Sequence, residues 1–489
     1  MPRDVLRDVF GYADFRPGQE KIITTVLGGR DCIGVMPTGA GKSLTYQIPA
    51  RILDGTVVVV SPLISLMKDQ VDALERTGFR ATVLNSTLDG PTRYERIQRL
   101  RRGEYELVYV APEGLEGSLR GVLGGVRVAL VAVDEAHCIS EWGHDFRPAY
   151  RRLRGLKSEL GGVPIRALTA TATRPVVGDI IRQLGMVKPD GFKGTFHRPN
   201  LVLTAHKKGD GGGSRKDLLS YVRRRRGESG IVYTLSRRNV ESLAEFLRGA
   251  GVRAAPYHAG LEDTVRARHQ EAFARDEVDV VVATIAFGMG IDKSNVRYVI
   301  HRELPRSIES WYQEIGRAGR DGLPSDCVLL YSWADVIGHQ RMQESLEDPV
   351  ARRTARAKSV AMFELAEAPG CRWQRLVRYF DEDIAACGSA CDCCRGTSLA
   401  DLVRPGASVA AALPDAPDGE LFERLRTLRR SLAEAEGVPA YIVFSDAVLA
   451  RMAAARPTDE AGLLAISGVG PAKLARYGAA FLRALRADQ

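Results

Sequence analysis

The chain has 489 residues, of which 45% are hydrophobic and 26% are charged, and its net charge is +9. This composition excludes a disordered or collagen-like chain, and without an apolar run of about eighteen residues no membrane span is predicted. The basic excess favours a polyanionic partner and lies before residue 341, because residues 341–489 carry 20 basic and 20 acidic side chains.

The first motif is a glycine-rich turn between a predicted strand, Cys32–Val35, and a helix that opens at Leu44. Such a turn aims backbone N–H groups and a helix N-terminus at one point, which suits the phosphates of a nucleotide. Lys42 adds a full positive charge, and Ser43 is placed to bind Mg²⁺. The expected ATP-binding residues of this turn are Thr38, Gly39, Gly41, Lys42 and Ser43.

The second motif follows an apolar, β-branched run, residues 126–133, which is typical of a strand buried on both faces. The run ends in Asp134 and Glu135. An acidic pair at the carboxyl end of such a strand lies beside the phosphate loop in a doubly wound sheet. We expect Asp134 to bind Mg²⁺ together with Ser43, and Glu135 to deprotonate the attacking water, with Lys42 completing the catalytic group.

Strand-like runs, among them Leu107–Val110 and Ile165–Thr169, alternate with helical patterns from about residue 20 to 335, which predicts an α/β fold with parallel sheets. The stretch is too long for one sheet, so two tandem domains are expected, at 1–199 and 200–340. Within the second, the polar, glycine-rich residues 205–214 are predicted to form a loop. The sequence further predicts a helical, cysteine-rich domain at 341–395, a linker at 396–417 and an all-helical module at 418–489.

The second α/β domain has its own motif, in which Arg317 and Arg320 lie three residues apart among glycines. An arginine pair can neutralise the charge that builds up on a transferred phosphate, so both are candidate catalytic residues. The glycine-rich residues 284–292 are predicted to form a loop beside them.

With these motifs the chain resembles the RecQ family of DNA helicases, in superfamily 2. The residues that carry the resemblance, in the family's order, are Phe10–Tyr12, Phe15–Gln19, the phosphate loop, Ser61–Gln70, Asp134–Pro148, Leu168–Ala172, Tyr257–Leu261 and Gln313–Arg320. They span essentially all of residues 5–335. The resemblance implies two RecA-like domains with ATP between them, a DNA strand across both, and an ATP-dependent 3′-to-5′ helicase acting in recombination and repair.

The resemblance also implies roles for single residues. Tyr12, Arg16 and Gln19 match the family's adenine-recognition motif. Trp142, Phe146 and Arg147 lie in its aromatic-rich loop, which implies stacking on DNA bases. Of the arginine pair, Arg320 is expected to be the residue that reaches the phosphate.

Five cysteines occur in a short segment near the end of the α/β region, and four thiolates suit a tetrahedral structural Zn²⁺. The family has four such cysteines after its second RecA-like domain. The expected ligands are Cys371, Cys387, Cys391 and Cys394, and Cys393 in place of Cys394 is the open alternative.

The last module resembles the HRDC domain of helicases and RNase D through residues 439–446 and 466–473. In the usual family architecture a winged-helix domain of about a hundred residues precedes this module, whereas here only the predicted linker stands there. Modest unwinding of duplex DNA is therefore expected.

The expected partners are single-stranded, tailed or forked DNA and single-strand-binding or repair proteins, with no membrane. A monomer in the cytoplasm or nucleoid of a bacterium is expected. Two alternatives stay open: an RNA-acting superfamily 2 ATPase, and a non-enzymatic DNA-binding scaffold with a decayed ATP site.

Overall fold

The computed structural model describes residues 1–62, 64–115, 118–141, 143, 145–210, 214–285, 287, 293–403 and 419–486. The two compact units of the chain divide between Phe196 and His197. Among the described residues, every helix is too short or too polar to cross a lipid bilayer.

The first unit is built on a seven-stranded parallel sheet with the order β3-β4-β2-β5-β6-β1-β7. Its strands are β1 (Cys32–Val35), β2 (Thr56–Val60), β3 (Ala81–Leu84), β4 (Leu107–Val110), β5 (Val128–Val133), β6 (Ile165–Thr169) and β7 (Asp190–Lys193). Its helices are α1 (Pro2–Asp8), α2 (Gln19–Leu27), α3 (Leu44–Ile52), α4 (Ile64–Glu75), α5 (Gly90–Arg101), α6 (Ser118–Gly124), α7 (Leu156–Glu159) and α8 (Arg174–Leu184).

The order of the strands positions the first site. Strand β6 lies between β1 and β5, so the segments that leave β1 and β5 meet at one carboxyl edge. The four valines of β2 are fully buried, as expected of β-branched residues in a strand covered on both faces. The short 3-10 turn Ala136–Ile139 follows β5 and fixes the acidic segment against the sheet.

The second unit holds a six-stranded parallel sheet with the order β10-β11-β9-β12-β13-β8. Its strands are β8 (Leu201–Lys207), β9 (Ser229–Tyr233), β10 (Ala254–Tyr257), β11 (Val280–Ala283), β12 (Val296–His301) and β13 (Ser325–Tyr331). The associated helices are α9 (Arg215–Arg224), α10 (Arg237–Gly249), α11 (Asp263–Ala274), α12 (Ile308–Ile315) and α13 (Trp333–Gln343).

One predicted loop is wrong at its start. Residues 205–207 belong to β8, which pairs with β13 as far as Lys207 and Tyr331. His206 and Lys207 are polar, and all three residues are only partly buried, which an edge strand tolerates because one of its sides is not covered by a further strand.

A helical, cysteine-rich segment follows the second sheet. Its helices are α14 (Pro349–Glu367), α15 (Arg372–Tyr379), α16 (Asp392–Arg395) and α17 (Leu399–Val403). The segment joins β8 directly, because Leu203 N donates to the Ala390 carbonyl at 3.0 Å and Ala205 N to Asp392 Oδ2 at 2.9 Å. Helix α17 lies inside the predicted linker, and its Leu399 is buried in the core of the second sheet. Residues 404–418 lie outside the described part.

The last module has a separate hydrophobic core that includes Leu425, Leu449 and Phe481. Its helices are α18 (Gly419–Glu436), α19 (Ala440–Val443), α20 (Asp446–Ala455), α21 (Glu460–Leu464), α22 (Pro471–Lys473) and α23 (Ala479–Arg486), with a π-helical turn at Leu474–Gly478. An internal ion pair ties two of these helices, since Arg429 Nη1 lies 2.7 Å from Asp446 Oδ1 and both residues are buried.

Candidate active site

The glycine-rich turn leaves β1 and curls into α3 as the sequence predicts. Gly41 has a φ of +74°, and a Cβ there would approach Gln19 Nε2 to 2.5 Å, so only glycine fits. Gln19 is 1% exposed and donates to the carbonyls of Ala40 and Gly41 at 3.1 and 3.0 Å. Arg16 Nη1 also donates to the Gly39 carbonyl. These two residues, expected at adenine, therefore hold the phosphate loop, and Tyr12 is 40% exposed.

Lys42 and Glu135 lie together at the carboxyl edge of the sheet. Lys42 Nζ is 3.6 Å from Glu135 Oε1. In the described part of the chain this buried ammonium has no hydrogen-bond partner. A buried donor without a partner is costly, and the phosphates of a nucleotide are the acceptors that a lysine in a glycine-rich turn binds. The site therefore fits a nucleoside triphosphate.

The backbone of Asp134 is held by strand β2 and by the 3-10 turn Pro148–Leu153. Asp134 N donates to the Val60 carbonyl at 2.9 Å, and Tyr150 donates to the Asp134 carbonyl at 2.9 Å. Burial raises the pKa of Asp134, and the neighbouring Glu135 raises it further. A carboxylate in this setting favours a bound cation, so Asp134 with Ser43 of the adjacent loop fits Mg²⁺.

His137 connects the acidic motif to the next strand. Its Nδ1 lies 2.8 Å from Thr169 Oγ1 at the end of β6 and 3.3 Å from Glu135 Oε2. The ring is 1% exposed, so the imidazole is fixed. The backbone of Glu135 itself has a φ of +45°, a left-handed conformation that is uncommon for residues other than glycine. The backbone thus aims this carboxylate at Lys42.

Arg166 is a residue of the first unit whose role the sequence did not reveal. It is 0% exposed, and its Nη2 donates to the Lys42 carbonyl at 2.6 Å. One feature of the sequence could have pointed to this role: a charged residue stands within a predicted strand, between the apolar Ile165 and Ala167.

The predicted DNA-binding loop is described only in part, since Trp142 lies outside the described residues. Arg147 bridges two segments, with Nη1 donating to the Pro62 carbonyl at 3.1 Å and Nη2 to Asp145 Oδ2 at 3.1 Å. Phe146 is half-buried, and the Arg151 guanidinium lies 5.1 Å from its ring centre. The structure brings Arg147 beside the Ser61–Gln70 motif, and the DNA contacts of Phe146 and Arg147 stay a prediction.

The arginine motif of the second unit forms a loop fixed through its backbone. Arg198 donates to the carbonyls of Gly316, Ala318 and Gly319 at 2.9, 2.9 and 2.7 Å. Asn200 Nδ2 donates to the Gly319 and Leu323 carbonyls at 2.9 and 3.0 Å. Gly319 has a φ of +52°, and a Cβ there would approach Asn200 Nδ2 to 2.5 Å. The sequence marked Pro199 and Asn200 only as a domain boundary, because nothing local links them to a loop so far along the chain.

The two arginines of this loop differ in exposure. Arg317 is 6% exposed and interacts with the Tyr233 hydroxyl. Arg320 is only partly buried. This difference favours Arg320 as the residue that can reach a ligand. Of the glycine-rich residues 284–292, residue 286 and residues 288–292 lie outside the described part.

Four of the five late cysteines converge. The Sγ atoms of Cys371, Cys387, Cys391 and Cys394 all lie within 4.8 Å of one another, a spacing that fits one tetrahedral Zn²⁺. Cys393 is outside this group and exposed, which favours the predicted ligand set over the alternative. Burial of the Cys371 thiol opposes ionisation, but the N–H groups of Cys387 and Gln374 lower its pKa to about 7. The thiolate that zinc needs is thereby stabilised.

Comparison with known families divides the chain into four matches. They are the DEAD/DEAH box helicase family at residues 16–180, the helicase conserved C-terminal domain at 213–322, the RecQ zinc-binding family at 333–395 and the HRDC domain at 418–485.

Curated relatives named ATP-dependent DNA helicase RecQ are similar along nearly their whole length. The relative from Haemophilus influenzae is 38% identical over 587 aligned positions, which cover 98% of this chain and 94% of the relative. The relative from Bacillus subtilis is also 38% identical, with 99% of this chain and 98% of the relative covered.

Solved structures of helicases share the fold. Mycobacterium smegmatis helicase Lhr, bound to single-stranded DNA and AMP-PNP, matches with a TM-score of 0.54 at 21% identity, covering 86% of this chain and 56% of that one. Saccharomyces cerevisiae Dbp5, bound to RNA and ADP BeF3, matches with a TM-score of 0.55 at 15% identity, covering 68% of this chain and 88% of that one.

Proposed function

Because this chain belongs to the RecQ family of ATP-dependent DNA helicases, we propose that it moves 3′ to 5′ along one DNA strand and opens tailed or forked duplexes during recombination and repair. It is an ATP-hydrolysing enzyme that acts on DNA and uses Mg²⁺ and a structural Zn²⁺. The observation that carries the proposal is the buried Lys42 ammonium, which has no hydrogen-bond partner in the described chain and lies 3.6 Å from Glu135.

In the proposed reaction each residue at the carboxyl edge of the first sheet has one task. The loop N–H groups and Lys42 bind the phosphates, and Glu135 accepts a proton from the attacking water. Mg²⁺ held by Ser43 and Asp134 would supply further positive charge to the phosphates. His137 Nδ1 lies between Thr169 Oγ1 and Glu135 Oε2, at 2.8 and 3.3 Å, so a shift of that strand end would change the surroundings of the base. We assign Arg320 to the charge that develops on the transferred phosphate.

The unwinding activity is proposed to be modest and to need a 3′ single-stranded tail. The zinc-binding match ends at residue 395 and the HRDC match begins at 418, which leaves 22 residues between them. The 587 alignment positions of the Haemophilus influenzae relative exceed the 489 residues of this chain by 98. At least that many positions therefore hold no residue of this chain, as expected if a domain of about a hundred residues is missing.

The test is ATP hydrolysis and strand displacement by the full chain on 3′-tailed, 5′-tailed, forked and blunt DNA. We expect hydrolysis stimulated by single-stranded DNA, and unwinding of 3′-tailed and forked duplexes only. Binding should weaken steeply with salt, because phosphate contacts dominate it. The variant Glu135→Gln, which keeps the shape of the side chain without its charge, serves as the inactive control.

Two outcomes would contradict the proposal. Equal stimulation by RNA would favour an RNA-acting ATPase, and efficient unwinding of blunt duplex would require a strand-separating element that the domain matches do not include. We further propose that the protein is a monomer in the cytoplasm or nucleoid of a bacterium. There it would work with single-strand-binding or repair proteins.

A further inference from the structure

Arg166 places a charged side chain in the middle of the first sheet. It pairs with Cys32 of β1 on one side and with Ala132 of β5 on the other. Its side chain is 0% exposed. Strands with neighbours on both sides and helices on both faces are usually continuous apolar runs. An arginine here is therefore an exception that needs a physical reason.

The guanidinium contacts the phosphate loop from inside the domain. Its Nη2 donates to the Lys42 carbonyl at 2.6 Å and also to Thr45 Oγ1. Thr45 Oγ1 in turn donates to the same Lys42 carbonyl at 2.7 Å. The ring of Tyr46 lies 4.8 Å from the guanidinium carbon. The backbone of the lysine that binds phosphate is thus fixed from behind by one arginine.

The guanidinium of Arg166 forms no ion pair with a carboxylate within the described residues. Its Nε and Nη1 have no hydrogen-bond partner there, and its contacts are a carbonyl, a hydroxyl and an aromatic ring. Burial lowers the pKa of Arg166 to about 10, so the group remains protonated at neutral pH. The nearest carboxylate, Asp134, acts on Arg166 through charge alone, without a hydrogen bond or an ion-pair contact, and it shares this attraction with Lys42. A buried charge that is paired so incompletely destabilises a protein.

We propose that Arg166 is a positioning residue of the nucleotide site, which fixes the Lys42 backbone and whose charge is compensated when a polyphosphate occupies the loop. The inference rests on the proposed function, because it requires that the loop bind a nucleotide. Removal of the charge should therefore stabilise the nucleotide-free protein and weaken nucleotide binding. If Arg166 were purely structural, its removal would destabilise the nucleotide-free protein and would leave nucleotide binding unchanged.

The experiment compares the wild type with Arg166→Met, which keeps the volume, and Arg166→Lys, which keeps the charge. The control is Arg429→Met, because Arg429 is similarly buried but is paired with Asp446. For each full-length protein we would measure thermal unfolding without nucleotide, the Kd of ADP with Mg²⁺, and the KM and kcat of DNA-stimulated ATP hydrolysis.

For Arg166→Met we expect an unfolding temperature at or above that of the wild type and a Kd for ADP raised about tenfold. KM should rise with it while kcat stays within about twofold, because the ground state and the transition state both carry the polyphosphate. Arg166→Lys should keep the Kd within about threefold, since the charge remains. Arg429→Met should lower the unfolding temperature and leave the Kd unchanged.

A less stable or insoluble Arg166→Met, or one that binds ADP as tightly as the wild type, would overturn the inference. These results differ from a failure of the proposed function, in which the wild type itself would neither bind ADP nor hydrolyse ATP. In that case no polyphosphate would occupy the loop.

Discussion

The two parallel sheets of this protein prepare their functional groups in different ways. At the first sheet, the buried ammonium of Lys42 has no hydrogen-bond partner in the described chain, and the main chain of Glu135 is in a left-handed conformation. At the second sheet, the loop that carries Arg317 and Arg320 is held by five hydrogen bonds from Arg198 and Asn200 to backbone carbonyls.

The two sheets thus prepare a functional site in two ways, one through side-chain charges and one through the shape of the backbone. The first site leaves electrostatic interactions incomplete, so a ligand can complete them, and its chemistry depends on the identity of a few side chains. The second site fixes a backbone shape, so that two guanidinium groups are presented without reorganisation. Substitutions should therefore act on turnover and ligand binding in the first unit, and on loop geometry in the second.

The largest effect is expected from Glu135→Gln in the first unit. Turnover should fall by about a thousandfold, because the proton acceptor is lost while the loop that binds phosphate remains. The Kd of ADP should change by less than about threefold. Steady-state ATP hydrolysis with single-stranded DNA, together with ADP binding, measures both. Hydrolysis at the wild-type rate would show that another group is the base.

Loss of metal should affect the second unit and spare the first. The purified chain should contain about one zinc per molecule, and Cys371→Ser should lose it, because four thiolates form the site. The matched control is Cys393→Ser, which should retain zinc. Metal content and ADP binding would be measured on the same samples. Zinc kept in Cys394→Ser but lost in Cys393→Ser would reverse the ligand assignment.

A methyl group at Gly319 tests whether the backbone shape of this loop determines the position of Arg317 and Arg320. The Cβ of Gly319→Ala would approach Asn200 Nδ2 to 2.5 Å and the Leu323 carbonyl to 2.8 Å. We expect kcat to fall about 10- to 100-fold, since the arginines shift, with a loss of about 1–3 kcal/mol in the free energy of unfolding.

The control for this change is in the same loop. Gly322 also has a positive φ, of +90°, but a Cβ there would meet nothing within 4 Å. Gly322→Ala should cost about 1 kcal/mol in stability and leave kcat nearly unchanged. Chemical denaturation and ATP hydrolysis would be measured for both. Equal losses of kcat in the two variants would mean that strain alone, and not the contact with Asn200, determines activity.

The smallest effect is expected from Arg147→Ala, which breaks the bridge between Asp145 and the Pro62 carbonyl. Stimulation of ATP hydrolysis by single-stranded DNA should fall about threefold to tenfold, whereas hydrolysis without DNA should stay the same. The exposed Arg154, in the turn that follows, provides a control by substitution to alanine. A parallel fall in both rates would indicate a structural role for Arg147.

The sequence predicts the local features of this protein well. Cys32–Val35, Leu107–Val110 and Ile165–Thr169 are strands with the predicted bounds, because β-branched and apolar runs between helical patterns depend on neighbouring residues only. The phosphate loop and the cysteine group also follow from spacing within short segments. The four-cysteine group appears with the predicted members because most of them lie within eight residues of one another.

Long-range contacts could not be predicted. Arg198 reaches a loop that lies 118 residues further on, and Arg166 reaches Lys42 across 124 residues. Each depends on the strand order of a sheet, which no local pattern fixes. The same limit explains the loop predicted at residues 205–207, since polar residues continue a strand there only because β13 lies beside it.

Strand β8 stands at the margin of its sheet, and this has a consequence for the metal. An uncovered margin exposes backbone N–H and C=O groups that can pair with another chain. Here the cysteine-rich segment covers part of it, through the Ala390 carbonyl on Leu203 N and the Asp392 carboxylate on Ala205 N. The covered strand begins Leu-Val-Leu-Thr, an apolar sequence suited to intermolecular pairing. A zinc ion held by the four cysteines would keep this segment on the strand, so we expect chelation to produce self-association before the nucleotide site is lost.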